Sequence, residues 1–229
     1  MSGVPGTLYV VATPIGNLED VSQRALAVLR EVDAIAAEDT RRTGRLLAHY
    51  GIEKPLKSYY DAVEQRRAPE LVAELTAGRS LALVSDAGTP LLSDPGYRLV
   101  RAALDAGIDV VPIPGASAVT ALVSVAGLPI ERFVFEGFLP AKPGKRHKRL
   151  ESLAAEPRTI VLYESPHHIE RTLGEIEELL GDREVVLGRE LTKVFEEIVR
   201  GRISTVRRSL AGKLARGEYT IVVAGAPEE

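Results

Sequence analysis

Apolar positions in this chain come in short runs that break abruptly into Gly, Pro, Thr and Asp. Leu8-Tyr9-Val10-Val11-Ala12 gives way to Thr13-Pro14-Ile15-Gly16-Asn17, and Leu81–Val84 gives way to Ser85-Asp86-Ala87-Gly88-Thr89-Pro90. A short unbroken apolar run bounded by turn residues predicts a parallel strand buried on both faces. Further runs at 34–37, 56–59 and 110–113 predict strands. Helical periodicity at 22–30, 43–50, 69–77 and 97–106 fills the intervals. Pro69 and Gly78 bracket the third helix in the order that helix ends favour. Strand–helix alternation of this kind predicts an α/β domain with a mainly parallel sheet.

The segment Pro112-Ile113-Pro114-Gly115-Ala116-Ser117 interrupts the pattern, and the domain junction is expected there, dividing the chain into 1–114 and 115–229. A small-residue helix is expected at 118–126. Beyond it, strands at 133–137, 159–163, 184–189 and 219–224 alternate with helices at 145–155, 166–180 and 203–215. The β-branched content of these strands predicts a second α/β domain with room for antiparallel members. The fold class is therefore α/β, in two domains. Loops at the carboxyl ends of strands are where open α/β sheets bind ligands, so the loops after 8–12 and 81–84 are expected to share a ligand cleft.

Composition narrows the chemistry. The 229 residues are 45% hydrophobic and 27% charged, with a net charge of −3. That balance argues against wholesale nucleic-acid coating while leaving room for a local basic patch. No cysteine is present, which removes disulfides, thiolate catalysis and Cys-ligated zinc. The four His show no metal spacing, so no metal is expected. No apolar run reaches the roughly 18–20 residues of a membrane span. No signal peptide is visible, so a cytoplasmic protein with no membrane partner is expected.

Several charged clusters are candidates for function, each with a plainer structural reading beside it. Thr13–Asn17 is either a ligand loop or a turn, and it lacks both the dinucleotide and the P-loop glycine patterns. Asp86 either caps the next turn or holds a cationic or polyhydroxylated ligand. In Glu38-Asp39-Thr40-Arg41-Arg42 the plainer reading is a helix cap, and the functional one lets Arg41 and Arg42 fork onto phosphates. Lys142–Arg149 holds five formal positive charges in eight residues. Such a run is usually a solvated face, but in an acidic chain it suits a phosphodiester backbone. Glu164 and His167 in Tyr163–His168, and the charged segment Arg189–Glu197, either do acid–base work or form helix caps and surface ion pairs.

Six segments taken in order resemble one family: AEDTRRTGRLL (37–47), SDAGTPLLSDPG (85–96), PIPGASAVTAL (112–122), EGFLPAKPGKR (136–146), LYESPHHI (162–169) and RELTKVFEE (189–197). Together they look like the tetrapyrrole (corrin/porphyrin) methylase superfamily, and within it the bacterial branch that methylates a cytidine 2′-oxygen of 16S ribosomal RNA. The resemblance runs from about Leu8 to about Gly225. It implies S-adenosylmethionine in a cleft between two α/β domains, a homodimer, and a small-ribosomal-subunit RNA substrate. By position it implies a donor site drawing on Ile15, Asp86, Thr89, Ser117 and Ala118, with Leu162 or Tyr163 and Tyr219 or Thr220. Two departures are visible. His168 stands where the family usually has Arg, and many members continue past the position of Glu229 into a small helical extension.

On this reading a base takes the hydroxyl proton, and Glu190, Lys193 and Glu38 are the candidates, left unranked. A lysine serves only if its pKa is depressed. Lys142, Lys145, Arg146, Lys148 and Arg149, with Arg41 and Arg42, are expected to hold RNA phosphates. The alternatives are a methylase of the same superfamily acting on a tetrapyrrole or a diphthamide precursor, and a non-catalytic RNA-binding module.

Overall fold

The computed structural model describes residues 4–210 and 216–227. The chain forms two compact units, residues 1–117 and 118–229. In the first, β1 (Leu8–Val11), α1 (Gln23–Glu31), β2 (Ala34–Ala37), α2 (Thr40–His49), β3 (Leu56–Ser58), α3 (Asp61–Thr76), β4 (Leu81–Val84), α4 (Tyr97–Asp105) and β5 (Val110–Ile113) alternate along the chain. The strands make one all-parallel sheet in the order β3-β2-β4-β1-β5. Helices cover both faces. Alternate strand residues (Leu8, Ala34, Ala36, Leu81, Leu83) pack under Leu71, Leu75, Leu99 and Ala103 of α3 and α4. The others (Ile35, Ala37, Ala82, Val84) pack under Ala25, Val28, Leu29 and Leu47 of α1 and α2. Burial on both sides is why β2 and β4 read as unbroken apolar runs.

The second unit holds α5 (Ala118–Val123), β6 (Phe133–Phe138), α6 (Pro143–Leu153), β7 (Thr159–Glu164), α7 (Ile169–Leu180), β8 (Glu184–Arg189), β9 (Glu197–Arg202), α8 (Ile203–Leu210) and β10 (Tyr219–Val223). Its sheet runs β6-β7-β10-β8-β9, parallel between β6 and β7 and antiparallel elsewhere. Ile160, Leu162, Val185, Leu187, Tyr219, Ile221 and Val223 face a core roofed by α6, α7 and α8.

Several elements differ from expectation. α3 begins at Asp61 and carries Pro69 in its interior. The lost backbone bond is offset by Ala68, Leu71 and Leu75, all buried, so packing overrides the proline signal. α7 begins at Ile169, since residues 166–168 form a turn. β9 was not foreseen: an edge strand bearing Glu197, Arg200 and Arg202 lacks the apolar signature of a buried one. The expected helix at 203–215 is seen to Leu210, and 211–215 lie outside the described residues. Gly115, Ala116 and Ser117 stay with the first unit. A Cβ at Gly115 would sit 3.0 Å from that of Ala12, and the Ala116 carbonyl accepts from Thr89 Oγ1 at 3.3 Å.

Candidate active site

The carboxyl ends of β1, β2, β4 and β5 carry a connected set of polar groups. Thr13 and Gly88 exchange backbone hydrogen bonds (2.9 and 3.0 Å), so the loops after β1 and β4 form one bridged pair. Thr13 Oγ1 adds a bond to the Ser85 carbonyl at 3.3 Å. Gly88 has φ +81° and its missing Cβ faces Ile15 Cγ2 at 3.3 Å, which is why the turn takes glycine. Ile15, Thr89 and Ser117 thereby cluster at one end of the first sheet.

The loops after β2 and β4 are cross-linked too. The Asp39 amide donates to Asp86 Oδ1 at 2.9 Å, and the Asp86 amide donates to Glu38 Oε2 at 3.3 Å. Asp86 Oδ2 lies 3.4 Å from Arg42 Nη1. Asp86 therefore anchors the loop with one oxygen and α2 with the other. Asp39 caps α2, accepting from the Arg41 amide at 2.8 Å and from its guanidinium at 3.2 and 2.9 Å. Those bonds hold the Asp39 carboxyl down at about 2. The cap reading of this segment is thus realised, with Arg41 and Arg42 both well exposed. A cavity of about 240 Å³ opens here, lined by Thr13, Pro14, Ser85 and Asp86 from the loops, Leu18, and Arg42, Thr43, Arg45 and Leu46 from α2. Arg45 was not among the expected residues, although its spacing of three from Arg42 puts both on one helix face.

Glu38 is half-buried and reaches this cavity's rim through the Asp86 amide. Burial raises its pKa above the ordinary carboxylate value. The Asp86 amide opposes the shift, and the charges of Asp94, Asp86 and Asp61 reinforce it. The pair in the second unit behaves in the opposite way. Lys193 Nζ sits between Glu190 Oε1 (2.8 Å) and Glu218 Oε2 (3.0 Å). Desolvation pulls the Lys193 pKa down, but the two carboxylates outweigh it and the net shift is upward. Glu190 moves down: desolvation is overcome by Lys193 and the Glu218 amide. Neither shift suits a base at neutral pH. Glu190 and Thr192 hold positive φ (50° and 67°), and Lys193 ties the loop between β8 and β9 to Glu218. This pair works as a loop clamp.

The remaining candidates separate by sheet face. Leu162 and Tyr219 point into the helix-covered core. Tyr163 and Thr220, which pair directly across β7 and β10, occupy the opposite face. Where either neighbour was possible, only Tyr163 and Thr220 offer side chains outside that core. Ala118 opens α5. On α6, Lys142, Lys145 and Lys148 are exposed. Arg149 forks onto Glu136 at 2.7 and 2.6 Å while keeping half its surface. Arg146 departs from the expected phosphate-binding arm. It is only 4% exposed and is held by Glu164 (3.0 Å), Glu175 and Thr172. Spaced with Leu150 and Leu153 on one face of α6, it points inward. Glu164 is spent in the same network, so it is no free acid–base group, and His167 and His168 are exposed in the turn before α7. Among the described residues there is no metal-binding cluster and no helix long and apolar enough to cross a membrane.

Two α/β units with glycine-pinned, acid-lined loops at the carboxyl ends of a parallel sheet define a ligand-binding enzyme class, and comparison with known proteins gives it a name. Residues 7–207 match the profile of the tetrapyrrole (corrin/porphyrin) methylases, and the chain belongs to that family. The "Ribosomal RNA small subunit methyltransferase I" of Xylella fastidiosa strain Temecula1 is 52% identical over 228 residues, covering 98% of this chain and 84% of that protein. Among solved structures, the methyltransferase CobJ superposes with a TM-score of 0.72 at 22% identity, covering 96% of this chain and 95% of that one. The uroporphyrin-III C-methyltransferase of Thermus thermophilus, complexed with S-adenyl homocysteine, gives 0.66 at 20% identity over 95% and 97% of the two chains. At those identities the likeness concerns the fold.

Proposed function

We propose that this chain is an S-adenosylmethionine-dependent methyltransferase acting on the RNA of the small ribosomal subunit, at the 2′-oxygen of a cytidine, in the cytoplasm and as a homodimer. The observation that carries the reading is the acidic, glycine-pinned loop set of the first unit, in a chain half identical to a ribosomal RNA methyltransferase over nearly its whole length.

The residues present fit a cationic, amino-acid-bearing donor. Glu38, Asp86 and Asp94 set a negative field, and Gly88 leaves room beside Ile15 that a side chain would fill. Ile15, Asp86, Thr89 and Ser117 are the residues of the first unit that would hold the donor; Ala118, Tyr163 and Thr220 are the second unit's own candidates. When bound, the donor supplies an electrophilic methyl carbon on a positively charged sulfur. With the donor held there, that carbon would be open to in-line attack by a ribose 2′-oxygen, with the sulfur as a neutral leaving group. Glu38 accepts the displaced hydroxyl proton, its raised pKa bringing it nearer the pH at which it works. Alignment of the two reactants contributes the larger share of the rate. Arg41, Arg42, Lys142, Lys145, Lys148 and Arg149 meet RNA phosphates.

The deciding experiment incubates the protein and labelled S-adenosylmethionine with small ribosomal subunits from cells lacking the activity. The label is then mapped by nuclease digestion and mass spectrometry. A single 2′-O-methylcytidine is expected. Donor binding without transfer to RNA would overturn the substrate assignment and point to a tetrapyrrole or protein acceptor.

A further inference from the structure

β6 begins with a side-chain pattern that a regular strand cannot give. It pairs with β7 as Phe133↔Thr159 and Phe135↔Val161, then slips so that Gly137↔Leu162 and Phe138↔Tyr163. The slip is a one-residue bulge at Glu136, completed by Gly137 at φ +62°. Directly paired residues share a face. Ile160 and Leu162 lie under the helices, so Thr159, Val161 and Tyr163 lie on the other face, and Phe133, Phe135 and Phe138 lie there with them. Without the bulge, alternation would send Phe138 to the helix side. Glu136 does turn that way and is caught by Arg149 of α6. The bulge thus puts three phenyl rings on one face, two of them against Tyr163, with ring centres 5.1 Å (Phe135) and 5.6 Å (Phe138) from the tyrosine.

This stripe runs along an edge strand, and its outer rings are open: Phe133 is 38% and Phe138 56% exposed. Burial does not account for them. α6, which starts at the same strand end, presents Lys142, Lys145 and Lys148, which make no ion pair among the described residues. Arg149 locks that helix to the bulge itself. Exposed aromatic rings beside unpaired cations, on a chain of net charge −3, match a polyanion with flat apolar faces.

We infer that Phe138, with Phe133 further along the same stripe, is a stacking platform for unpaired bases of the RNA substrate, and that the α6 lysines hold the adjoining phosphates. This rests on the proposed RNA substrate and adds the mode of capture: splayed bases taken by stacking, without sequence readout. The bulge at Glu136 is the device that aims Phe138 outward.

The test titrates a dye-labelled unstructured oligocytidylate, and separately small ribosomal subunits, against wild type and variants over a range of salt. Phe138→Ala is expected to weaken RNA binding by about tenfold or more and to leave the salt slope unchanged. Phe138→Trp should restore affinity and Phe138→Leu should not. Lys142, Lys145 and Lys148 changed together to Ala should reduce the salt slope. Phe138 is exposed, so Phe138→Ala should melt at the wild-type temperature. Wild-type affinity in Phe138→Ala or Phe138→Leu would overturn the platform. So would a parallel loss of donor binding by calorimetry, which would assign the stripe to the donor site. A change in sedimentation at unchanged RNA affinity would assign it to a second copy of the chain. A wild-type protein that neither binds nor methylates RNA would remove the substrate reading itself, and the platform with it.

Discussion

Acidic side chains sit at strand ends in both units, and Glu38 of the first is treated in the opposite way to those of the second. In the first unit Glu38 faces the charges of Asp86, Asp94 and Asp61. In the second every acid at the corresponding positions has a cation: Glu164 has Arg146, Glu136 has Arg149, and Glu190 has Lys193. Neutralised carboxylates hold structure together. A carboxylate crowded by its own kind is held at a cost and keeps its affinity for a proton. On the proposed reading, the first unit's loops are the place for chemistry and the second unit's pairs are scaffold.

The strongest way to break this comparison is Arg146→Ala. It would leave Glu164 buried without its partner, and a loss of about 3–5 kcal/mol is expected, read as a fall in the denaturant midpoint. A change under about 1 kcal/mol would show that the network is not scaffold.

Glu38→Gln should lower turnover by about a hundredfold or more with donor binding by calorimetry retained. The same change should raise the melting temperature at neutral pH. A carboxyl whose pKa is raised on folding binds more protons in the folded state, so its ionisation lowers stability as pH rises through the window above the ordinary carboxylate value of 4.5. The acid limb of the rate profile should accordingly lie above the ordinary carboxylate range. An acid limb at the ordinary carboxylate pKa, or unchanged turnover, would remove Glu38 from the reaction.

Glu190→Gln runs the other way. Its pKa is lowered, so its stabilisation is present at neutral pH and is lost as pH falls below 4.5. The variant should melt lower, and Lys193→Ala with it, by about 1 kcal/mol or less, while turnover stays within about threefold of wild type. A hundredfold loss in either would return the pair to the chemistry. Smallest of all, Asp39→Asn should be nearly silent in stability because asparagine caps as well as aspartate.

What the sequence disclosed follows from where the information lies. β2 and β4 are legible because burial on both faces forces every residue to be apolar. The loops after β1 and β4 are legible because a buried strand that must turn immediately needs Gly, Pro and Thr. β9 is silent because an edge strand can be charged. Arg146 reads as one more cation in a run, since its partners Glu164 and Glu175 lie 18 and 29 residues away and only folding brings them in. The temper of Glu38 is hidden for the same reason: Asp86 is contributed by a different strand end. The bulge that re-aims Phe138 is a matter of register, which composition does not record.

The position of β10 bears on how the protein is made. The first unit's sheet is complete once Ile113 has been synthesised. The second cannot be, because β10, the last strand among the described residues, is seated between β7 and β8. Until residues 219–223 leave the ribosomal tunnel, β6–β7 and β8–β9 are two separate ribbons with open, apolar inner edges. The nascent chain therefore passes through an interval in which one half is finished and the other is exposed to wrong partners.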